Sequence, residues 1–505
     1  MAELTARPFP PGEYPIVVVG SGPGAIQVSY NLRELGIRHA VISADDEPGG
    51  MFRKWPFFQR LLSWTKPFAP VPRGTWEYER YDWNSLLASE PQARAIQPTF
   101  MDGTSSFPSR PEMEQNLTAF VERTGIAIRY GCRWQATRHE GDRFVLETSD
   151  GEYGCRFPIF AVGVAEPYRP NTPGMDLVAH YADTRPAHTY GGQRIFIIGK
   201  QNSGFELASG LLAWARGIVL ASPSPMKLSV NTNSLAGIRA RYLQPVEDHA
   251  IGGGVGILNA SIESVERVGD VFRINLRRTE DSSALLVEAD EVIAATGFVS
   301  PLQDLPALGV ATFGQSRLPA LTPYWESATV PGIYFAGTIG QAQGGLKKHG
   351  LPPNSGAVHG ARYNARTMVR HVARTHFGVE HERPIIRPAE LLPRVAAELT
   401  RGPEVWHQKA YLARIISLDP AQGIRDEGIE PLAWWLDAAG PDGFAVTLEA
   451  DGTSAIYPCI YVRRAGRTEE RLVAPHPLLD YETPEARRQL GAILATLVPE
   501  AGVSG

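Results

Sequence analysis

Residues 15–43 read PIVVVGSGPGAIQVSYNLRELGIRHAVIS, and this stretch decides the fold. Ile16–Val19 is an apolar, β-branched run, and His39–Ile42 is a second apolar run. A helix-forming stretch lies between them and ends at Gly36. This order predicts a strand, a tight turn, a helix and a second, parallel strand.

The turn, GSGPGA at residues 20–25, has the G-x-G-x-x-A form of a dinucleotide-binding loop. Gly20 lets the strand turn sharply, and Gly22 lets the backbone approach a pyrophosphate without a Cβ in the way. Gly24 and Ala25 keep the start of the helix close to the sheet. The phosphates would then lie at the helix N-terminus, where free N–H groups and the helix dipole favour negative charge. The sequence therefore predicts a dinucleotide site here.

The same motif calls for an acidic residue about 20 positions on, at the end of the second strand, to hold ribose hydroxyls. Ser43 stands where a glutamate is expected. Asp45, or its neighbour Asp46, is the alternative ribose ligand, and solvated turn acids are the other interpretation. Gly49 and Gly50 follow and are predicted to contact the same cofactor.

A second turn of the same kind follows the apolar strand Gln193–Ile198. The sequence GKQNSG occupies residues 199–204 and leads into a predicted helix over 205–216. Ser203 is predicted to cap this helix and to meet a phosphate. We interpret the turn as a nicotinamide nucleotide site. Its predicted contacts are Gly199, Asn202, Ser203 and Gly204.

The strand after this helix predicts a preference for NADPH, with NADH left open. An arginine at its end would favour the 2′-phosphate of NADP. Ser222, Ser224 and Lys227 stand there instead, and they could contact this phosphate more weakly. Arg239 and Arg241 follow farther along and are a second source of positive charge.

Two further strand ends carry glycines. One strand closes on Thr296 and Gly297, and a later one closes on Gly337 and is followed by Gly345. A helix is predicted from about residue 355. A strand, a glycine turn and a helix would give a third helix dipole, suited to polarising a flavin ring.

Taken in order, these motifs resemble the flavoproteins that have two dinucleotide-binding domains, and the resemblance covers roughly residues 15–375. It implies an α/β fold with two Rossmann-like domains, the NAD(P)H domain inserted in the FAD domain. Beyond the resemblance, the helix and hairpin patterns of roughly the last 120 residues predict an appended small α+β domain. The predicted boundaries are 1–165 and 291–375 for FAD, 166–290 for NAD(P)H, and 380–505 for the appended domain. In that appended domain we identify a hairpin around Asp451 and no catalytic constellation.

The motifs resemble more than one subgroup of these flavoproteins. The turn Asn202–Gly204 and the strand end 294–298 look like class B flavin monooxygenases, including N-hydroxylating ones. Residues 173–174 with 180–181 look equally like bacillithiol disulfide reductases. The full F-x-G-x-x-x-H fingerprint of the monooxygenases is not intact, because Gly174 and His180 lack a preceding phenylalanine. Baeyer–Villiger oxidation is therefore disfavoured.

A route like that of thioredoxin reductases needs a dithiol near the flavin. A route like that of bacillithiol disulfide reductases would place a cysteine just after the proline of the first glycine turn, where Gly24 stands. An approach of Cys132 or Cys155 to the flavin is left open. The chain has three cysteines, Cys132, Cys155 and Cys459, and none forms a Cys-x-x-Cys pair. The resemblance then implies an FAD- and NAD(P)H-dependent monooxygenase that hydroxylates a heteroatom, favouring an amine nitrogen, of a small metabolite through a flavin hydroperoxide formed from oxygen. The alternatives are an NAD(P)H oxidoreductase that reduces a disulfide or another acceptor, and a flavin-bound redox sensor.

Candidates beyond the turns are weaker. Met51 and Trp55 open an aromatic segment that is interpreted as cofactor contact or substrate wall, with core packing as the alternative. The asparagine that similar monooxygenases have near the flavin edge is missing, and residues 64–66, which include Lys66, occupy that region. His349 lies near the third glycine turn. Both are weak catalytic candidates, and exposed charge is the alternative for each.

Composition limits the partners. The 505 residues carry a formal net charge of −5, with 49 basic and 54 acidic side chains and 43% hydrophobic residues. No basic block indicates nucleic acid or an anionic membrane, and no apolar run approaches a membrane span. We expect a cytoplasmic protein without a metal, and leave a homo-oligomer open.

Overall fold

The computed structural model describes residues 7–229, 237–342, 348–350, 353–419, 421, 423–451 and 455–502. Contacts divide the chain into two compact units. The larger unit comprises Met1–Arg53, Ser63–Gly163 and Pro301–Gly505, and the smaller comprises Lys54–Leu62 and Val164–Ser300. The domain boundaries drawn from the sequence stay a prediction.

The strands and helices follow in chain order. The strands are β1 (Gly12–Val19), β2 (His39–Ile42), β3 (Trp134–Glu140), β4 (Arg143–Thr148), β5 (Gly151–Phe160), β6 (Glu166–Pro167), β7 (Ala179–His180), β8 (Arg194–Ile198), β9 (Gly217–Ser222), β10 (Val255–Val268), β11 (Val271–Arg278), β12 (Ala284–Ala289), β13 (Glu291–Ala294), β14 (Phe298–Val299), β15 (Thr312–Phe313), β16 (Leu318–Pro319), β17 (Tyr334–Phe335), β18 (Leu412–Asp419), β19 (Gly423–Pro431), β20 (Asp442–Ala450), β21 (Ile456–Arg464) and β22 (Arg467–Leu472). The α-helices are α1 (Pro23–Glu34), α2 (Arg110–Thr124), α3 (Asn202–Leu211), α4 (Ala240–Ile251), α5 (Val358–Phe377), α6 (Pro388–Arg401), α7 (Pro403–His407), α8 (Leu432–Asp437) and α9 (Pro484–Leu494).

The larger unit is built on a six-stranded sheet of order β2-β1-β5-β4-β3, with β17 also pairing with β5. Strand β1 runs parallel to β2 and β5, so that Val19 lies beside Ile42 on one side and Phe160 on the other. The β-branched run of β1 is buried because β2 and β5 lie on its two sides and α1 packs against it. The chain therefore leaves β1 at the carboxyl edge of the sheet, where α1 begins.

The smaller unit has a seven-stranded sheet of order β12-β11-β10-β9-β8-β13-β7, in which β7 to β10 and β13 pair in parallel. Side chains of β8 alternate between two cores. Ile195 and Ile197 pack with Phe205 of α3, while Phe196 and Ile198 face the other core. A parallel strand buried on both faces and followed by a helix is the Rossmann-type arrangement predicted from the sequence.

The C-terminal residues form a five-stranded antiparallel sheet of order β19-β18-β20-β21-β22, accompanied by α6 to α9. The predicted hairpin forms, with Ala450 opposite Ile456, and Asp451 belongs to its turn. The rest of that turn, residues 452–454, lies outside the described residues. This sheet groups with the larger unit.

Several element bounds differ from the sequence prediction. The helix expected over 205–216 begins at Asn202 and ends at Leu211. The helix expected from about 355 begins at Val358, because residues 354–356 form a separate 3₁₀ turn. Within the described ranges, no helix combines the length and the apolar character needed to cross a membrane.

Candidate functional site

The first glycine turn is shaped by close backbone approaches. Gly20 has φ +130°, and a Cβ there would lie 2.6 Å from the carbonyl oxygen of Ala161. A Cβ on Gly24 would lie 2.6 Å from the Cα of Gly337. The start of α1 is thus held against the end of β5 and against the third turn, with no side chain between them.

Gly22 differs from these glycines. Its φ is −75°, and nothing lies within 4 Å of the place that a Cβ would occupy. Helix α1 starts at the next residue, and in the described part of the chain no side chain caps its first N–H groups. Open space, free N–H donors and the positive end of a helix dipole fit a diphosphate. Ala25, the last residue of the motif, lies in the first turn of α1 and is buried.

Asp45 lies against this turn. Its Oδ2 accepts hydrogen bonds from the hydroxyl of Ser21 at 2.7 Å and from that of Ser43 at 3.3 Å. Ser43, which stands in place of the expected glutamate, is therefore paired with the nearby acid, while Asp46 is exposed. Asp45 as a ribose ligand stays a prediction.

Gly49, Gly50 and Met51 pass next to the same turn. The N–H of Gly49 donates to the carbonyl of Ser21 at 2.9 Å, and a Cβ on Gly50 would lie 3.0 Å from the Cα of Gly22. The Met51 sulfur lies 3.5 Å from the Cβ position of Gly163. The structure thus brings these predicted cofactor residues together with the first turn.

The third glycine turn, which follows β17 and includes Gly337, packs against the first glycine turn. Gly337 has φ +74°, which suits glycine, and it packs on Gly24. Helix α5 follows, and the predicted contact Gly345 lies outside the described residues.

A cluster of aromatic and imidazole rings, which we call the ring cluster, surrounds the first turn of α5. It consists of Trp64, Trp83, His359 and His407. The ring centroids lie 4.7 Å apart for Trp64 and Trp83, 4.2 Å for Trp83 and His359, and 5.0 Å for His359 and His407. Sequence reasoning missed it, because His407 belongs to the C-terminal segment for which no site was predicted.

The His407 ring has a defined tautomer. Its Nε2 lies 3.1 Å from the carbonyl oxygen of Glu79, and because a carbonyl only accepts, Nε2 carries the proton. Burial and the neighbouring His359 and Arg362 lower the pKa of His407 well below its usual value. His407 is therefore neutral at physiological pH.

The two weak catalytic candidates lie elsewhere in the larger unit. Lys66 is exposed, with its Nζ 5.4 Å from the ring centroid of Trp64 and 5.5 Å from that of Tyr81. His349 is also exposed, and its Nε2 lies 2.9 Å from the hydroxyl of Tyr457 in the C-terminal sheet. A direct role for either residue stays a prediction.

The second glycine turn, in the smaller unit, repeats the close approaches of the first. Gly199 has φ +111°, and a Cβ there would lie 2.4 Å from the carbonyl oxygen of Ala295. A Cβ on Gly204 would lie 2.3 Å from the carbonyl oxygen of Gly199. Ser203 does not cap α3, contrary to the prediction, because the helix begins one residue earlier, at Asn202. Ser203 lies in the first helical turn.

Asn202 and Lys200 are held by the protein itself. Asn202 donates from Nδ2 to the carbonyl of Gly237 at 3.0 Å and accepts from the N–H of Arg239 at 3.1 Å. Lys200 is buried and donates to the carbonyl of Leu258 at 2.8 Å, and burial lowers its pKa. Asn202 therefore fixes the loop that carries Arg239 beside the turn.

The strand ends predicted to join the nucleotide domains belong to the smaller unit. The Thr296 hydroxyl donates to the carbonyl of Tyr168 at 2.5 Å. Gly297 has φ +89°, and its carbonyl accepts from Nε2 of His180 at 3.1 Å. Trp55 also lies in this unit, with its ring centroid 4.9 Å from that of Phe298.

Glu206 of α3 is a buried carboxyl, and its hydrogen bonds hold residues 54–62 to this helix. It accepts from the N–H of Phe58 at 3.1 Å and from the hydroxyl of Tyr181 at 3.0 Å. Burial raises its pKa, against the opposing effect of these hydrogen bonds.

Glu206→Gln is expected to change how stability varies with pH. A carboxyl whose pKa is higher in the folded protein than in the unfolded chain contributes stability at low pH, and that contribution is lost as pH rises through the folded pKa. The amide cannot ionise, so the Tm of the wild type should fall relative to that of the variant as the pH rises above about 5. Thermal unfolding of both proteins measures this, with Glu263→Gln as an exposed control. A Tm difference that grows in favour of the wild type at high pH contradicts it.

The three cysteines are all buried. Cys155 lies in β5 and Cys459 in β21, and burial raises the pKa of both thiols. Cys132 donates from its sulfur to the hydroxyl of Thr148 at 3.3 Å. Each thiol is thus enclosed by the protein, two of them within strands and Cys132 just before β3.

Comparison with known proteins shows what the chain resembles. A family model described as pyridine nucleotide-disulphide oxidoreductase matches residues 17–337. FAD-dependent oxidoreductase domain-containing protein 2 of Mus musculus is 24% identical over 436 residues, which cover 79% of this chain and 64% of that protein. The chain thus spans about three fifths of the length of this relative.

Two further similar proteins have names that indicate different chemistry, one an oxygenase and the other a disulfide reductase. Indole-3-pyruvate monooxygenase YUCCA6 of Arabidopsis thaliana is 22% identical over 335 residues, covering 56% of this chain and 76% of that protein. Bacillithiol disulfide reductase Bdr of Staphylococcus aureus matches in structure with a TM-score of 0.56 and 15% identity, covering 72% of this chain and 99% of that chain. The second similarity concerns the fold alone.

Proposed function

The chain belongs to the pyridine nucleotide-disulphide oxidoreductase family, and on that premise we propose that it is an FAD-dependent monooxygenase driven by NADPH. In this proposal NADPH supplies a hydride to FAD, and oxygen then hydroxylates a heteroatom, in first place an amine nitrogen, of a small metabolite.

The observation that carries the proposal is the pair of glycine turns, one in each unit. Each turn follows a buried parallel strand, has glycines that a Cβ could not replace, and leads into a helix N-terminus. Two such turns in one chain fit two different dinucleotides. FAD is assigned to the turn of the larger unit, and NADPH to that of the smaller unit.

The residues of the larger unit have distinct parts in this proposal. The backbone around Gly22 binds the diphosphate, while Gly49 to Met51 and Gly337 enclose the cofactor. The bound flavin supplies the redox chemistry. The ring cluster offers a largely buried aromatic wall that includes the neutral imidazole of His407, which suits an uncharged or aromatic substrate.

The cysteines support oxygen rather than a disulfide as the electron acceptor. A dithiol route needs an accessible thiolate. The three cysteines are buried, and the raised pKa of Cys155 and Cys459 keeps these two as thiols at neutral pH. The similarity to a protein named as a monooxygenase agrees with this acceptor.

Stopped-flow mixing of the NADPH-reduced, FAD-loaded protein with oxygen tests the proposal. The expected result is a transient whose spectrum differs from both reduced and oxidised flavin, together with oxygen uptake that depends on NADPH. Direct return to oxidised flavin in a single phase contradicts the oxygenase and favours the second candidate.

The second candidate is an NAD(P)H oxidoreductase that passes electrons to a disulfide, a quinone or another protein. The fold similarity to a bacillithiol disulfide reductase favours it. Anaerobic turnover of NADPH with such an acceptor, at a rate above that with oxygen, would establish it. Reduction by NADPH without turnover on any acceptor would instead indicate a redox sensor.

Lys227→Gln is expected to weaken NADPH selectively. Lys227 is exposed beyond the end of β9, where the 2′-phosphate of NADP lies in Rossmann domains. Loss of one exposed charge on a phosphate costs about 1 kcal/mol, so the KM for NADPH should rise about fivefold while that for NADH stays within about twofold. Steady-state kinetics with both coenzymes measures this, and Arg278→Gln is the control. Equal changes for NADPH and NADH would place the 2′-phosphate elsewhere.

A further inference from the structure

A cavity of about 350 Å³ lies in the larger unit, away from the phosphate turn. It is enclosed by the C-terminal half of α1, by one face of α5 and by residues 74–95. On α1 the lining begins at Tyr30. Because an α-helix rises about 1.5 Å per residue, Glu34 lies about 15 Å along the helix from Gly24 of the first glycine turn. The volume lies within the range of metabolite-binding sites.

Arginines dominate the polar lining. Arg362, Arg366 and Arg370 are spaced by four residues and therefore share one face of α5, and all three line the cavity. Arg94 contributes a fourth guanidinium from the opposite wall. A set of guanidinium groups around one small volume is the arrangement that recognises carboxylate and phosphate oxygens.

The protein leaves part of this positive charge without a carboxylate. Arg362 is buried and donates to the backbone carbonyls of Ser85 at 2.6 Å and Glu79 at 2.9 Å. Arg366 pairs with Glu404. Arg370 is exposed, and it makes no hydrogen bond or ion pair with the residues that the structure describes.

The acidic residues in the lining do not cancel this charge. They are Glu34, Glu79 and Asp82. Burial raises the pKa of Glu79, which disfavours its charged form. Glu34 is exposed and pairs with the half-buried Arg33 at 3.2 Å. Asp82 is buried, and its Oδ1 accepts hydrogen bonds from the Thr65 hydroxyl and from the N–H groups of Asn84 and Ser85.

We propose that this cavity binds a small, multiply charged organic anion, a polycarboxylate or a phosphate ester, through residues that belong to neither glycine turn. Arg370 and Arg94 meet the anion from the open side, and Arg362 supports it from within. A second small-molecule site on α1 and α5 would let an anionic metabolite influence the helices that form the flavin cradle.

Isothermal titration calorimetry on the full-length, FAD-loaded protein tests this. The probes are citrate and glycerol 3-phosphate, each added in saturating NADP⁺ so that the nucleotide turn is filled, with sodium chloride at matched ionic strength as the blank. We expect saturable binding of at least one probe at one site. Arg370→Gln should weaken it at least about tenfold, and Arg94→Gln should also weaken it.

The control variant is Arg471→Gln, which removes an exposed arginine of β22 and should leave the binding unchanged. Because Arg370 and Arg94 are exposed, both variants should keep their FAD, which absorbance verifies. Citrate binding alone identifies a polycarboxylate site, and glycerol 3-phosphate binding alone identifies a phosphate-ester site. The proposal is overturned when neither probe binds above the blank, or when Arg370→Gln binds as tightly as the wild type.

Discussion

Gly24→Ala is expected to yield a protein with less than about a tenth of the wild-type flavin content. A Cβ at this position would lie 2.6 Å from the Cα and 2.7 Å from the N of Gly337, and backbone atoms cannot rotate away as a side chain can. Helix α1 must then shift from the third turn, and forced contacts of this kind cost about 1–3 kcal/mol. The free energy of unfolding should fall by that amount, and FAD affinity should fall with it. Urea unfolding and flavin absorbance measure the two effects.

Gly22→Ala is the matched control, since it lies two residues away and adds the same methyl group. Nothing lies within 4 Å of its Cβ position, and its φ of −75° suits any residue. We expect the unfolding of the apoprotein to be unchanged while FAD affinity falls at least about tenfold, because the methyl occupies the space that a diphosphate needs. Wild-type FAD affinity in Gly22→Ala would show that no diphosphate lies on this turn.

Arg414→Met is expected to destabilise the larger unit by about 3–5 kcal/mol. Arg414 in β18 pairs with Glu398 at 2.6 Å and with Asp426 at 2.8 Å, and both carboxylates are only 3% exposed. Methionine keeps the length of the side chain but leaves Glu398 without its cation, whereas Asp426 keeps Arg394 at 2.7 Å. A buried charge that loses its partner cannot recover its hydration. Equilibrium unfolding in urea, followed by tryptophan fluorescence, measures the loss.

Arg471→Gln again supplies the comparison, because it breaks a pair with Glu469 in which both side chains are exposed. Its cost should stay within about 0.5 kcal/mol. A cost below about 1 kcal/mol for Arg414→Met would mean that the C-terminal sheet does not depend on this buried pair.

The local parts of the fold were accessible from the sequence because their signals are local. An apolar strand, a glycine turn and a helix are coded by neighbouring residues, and both glycine turns lie where they were predicted. The bounds of α3 were misjudged at both ends, since Asn202 is a weak helix former that tertiary contacts with Gly237 and Arg239 hold in place.

The candidate site was less accessible because its parts meet over long sequence separations. The ring cluster brings Trp64 and Trp83 together with His407. No sequence motif around any of these residues predicts contact with the others. The cavity depends on a helix face whose arginines look like a solvated surface in the sequence. The hydrogen bond between Ser21 and Asp45 could have been predicted from the sequence. Ser21 belongs to the first glycine turn, Asp45 follows the second strand, and Ser43 stands where a glutamate is expected.

The contact between Gly24 and Gly337 has a consequence for biosynthesis. All residues of the smaller unit precede Gly337 in the chain, so the ribosome releases them before the cradle on α1 can close. Until then the first turn lacks the backbone against which it packs, and pairing so distant in sequence is slow to form. We expect nascent chains truncated before Gly337 to fail to retain flavin, which makes cofactor capture a late step of synthesis.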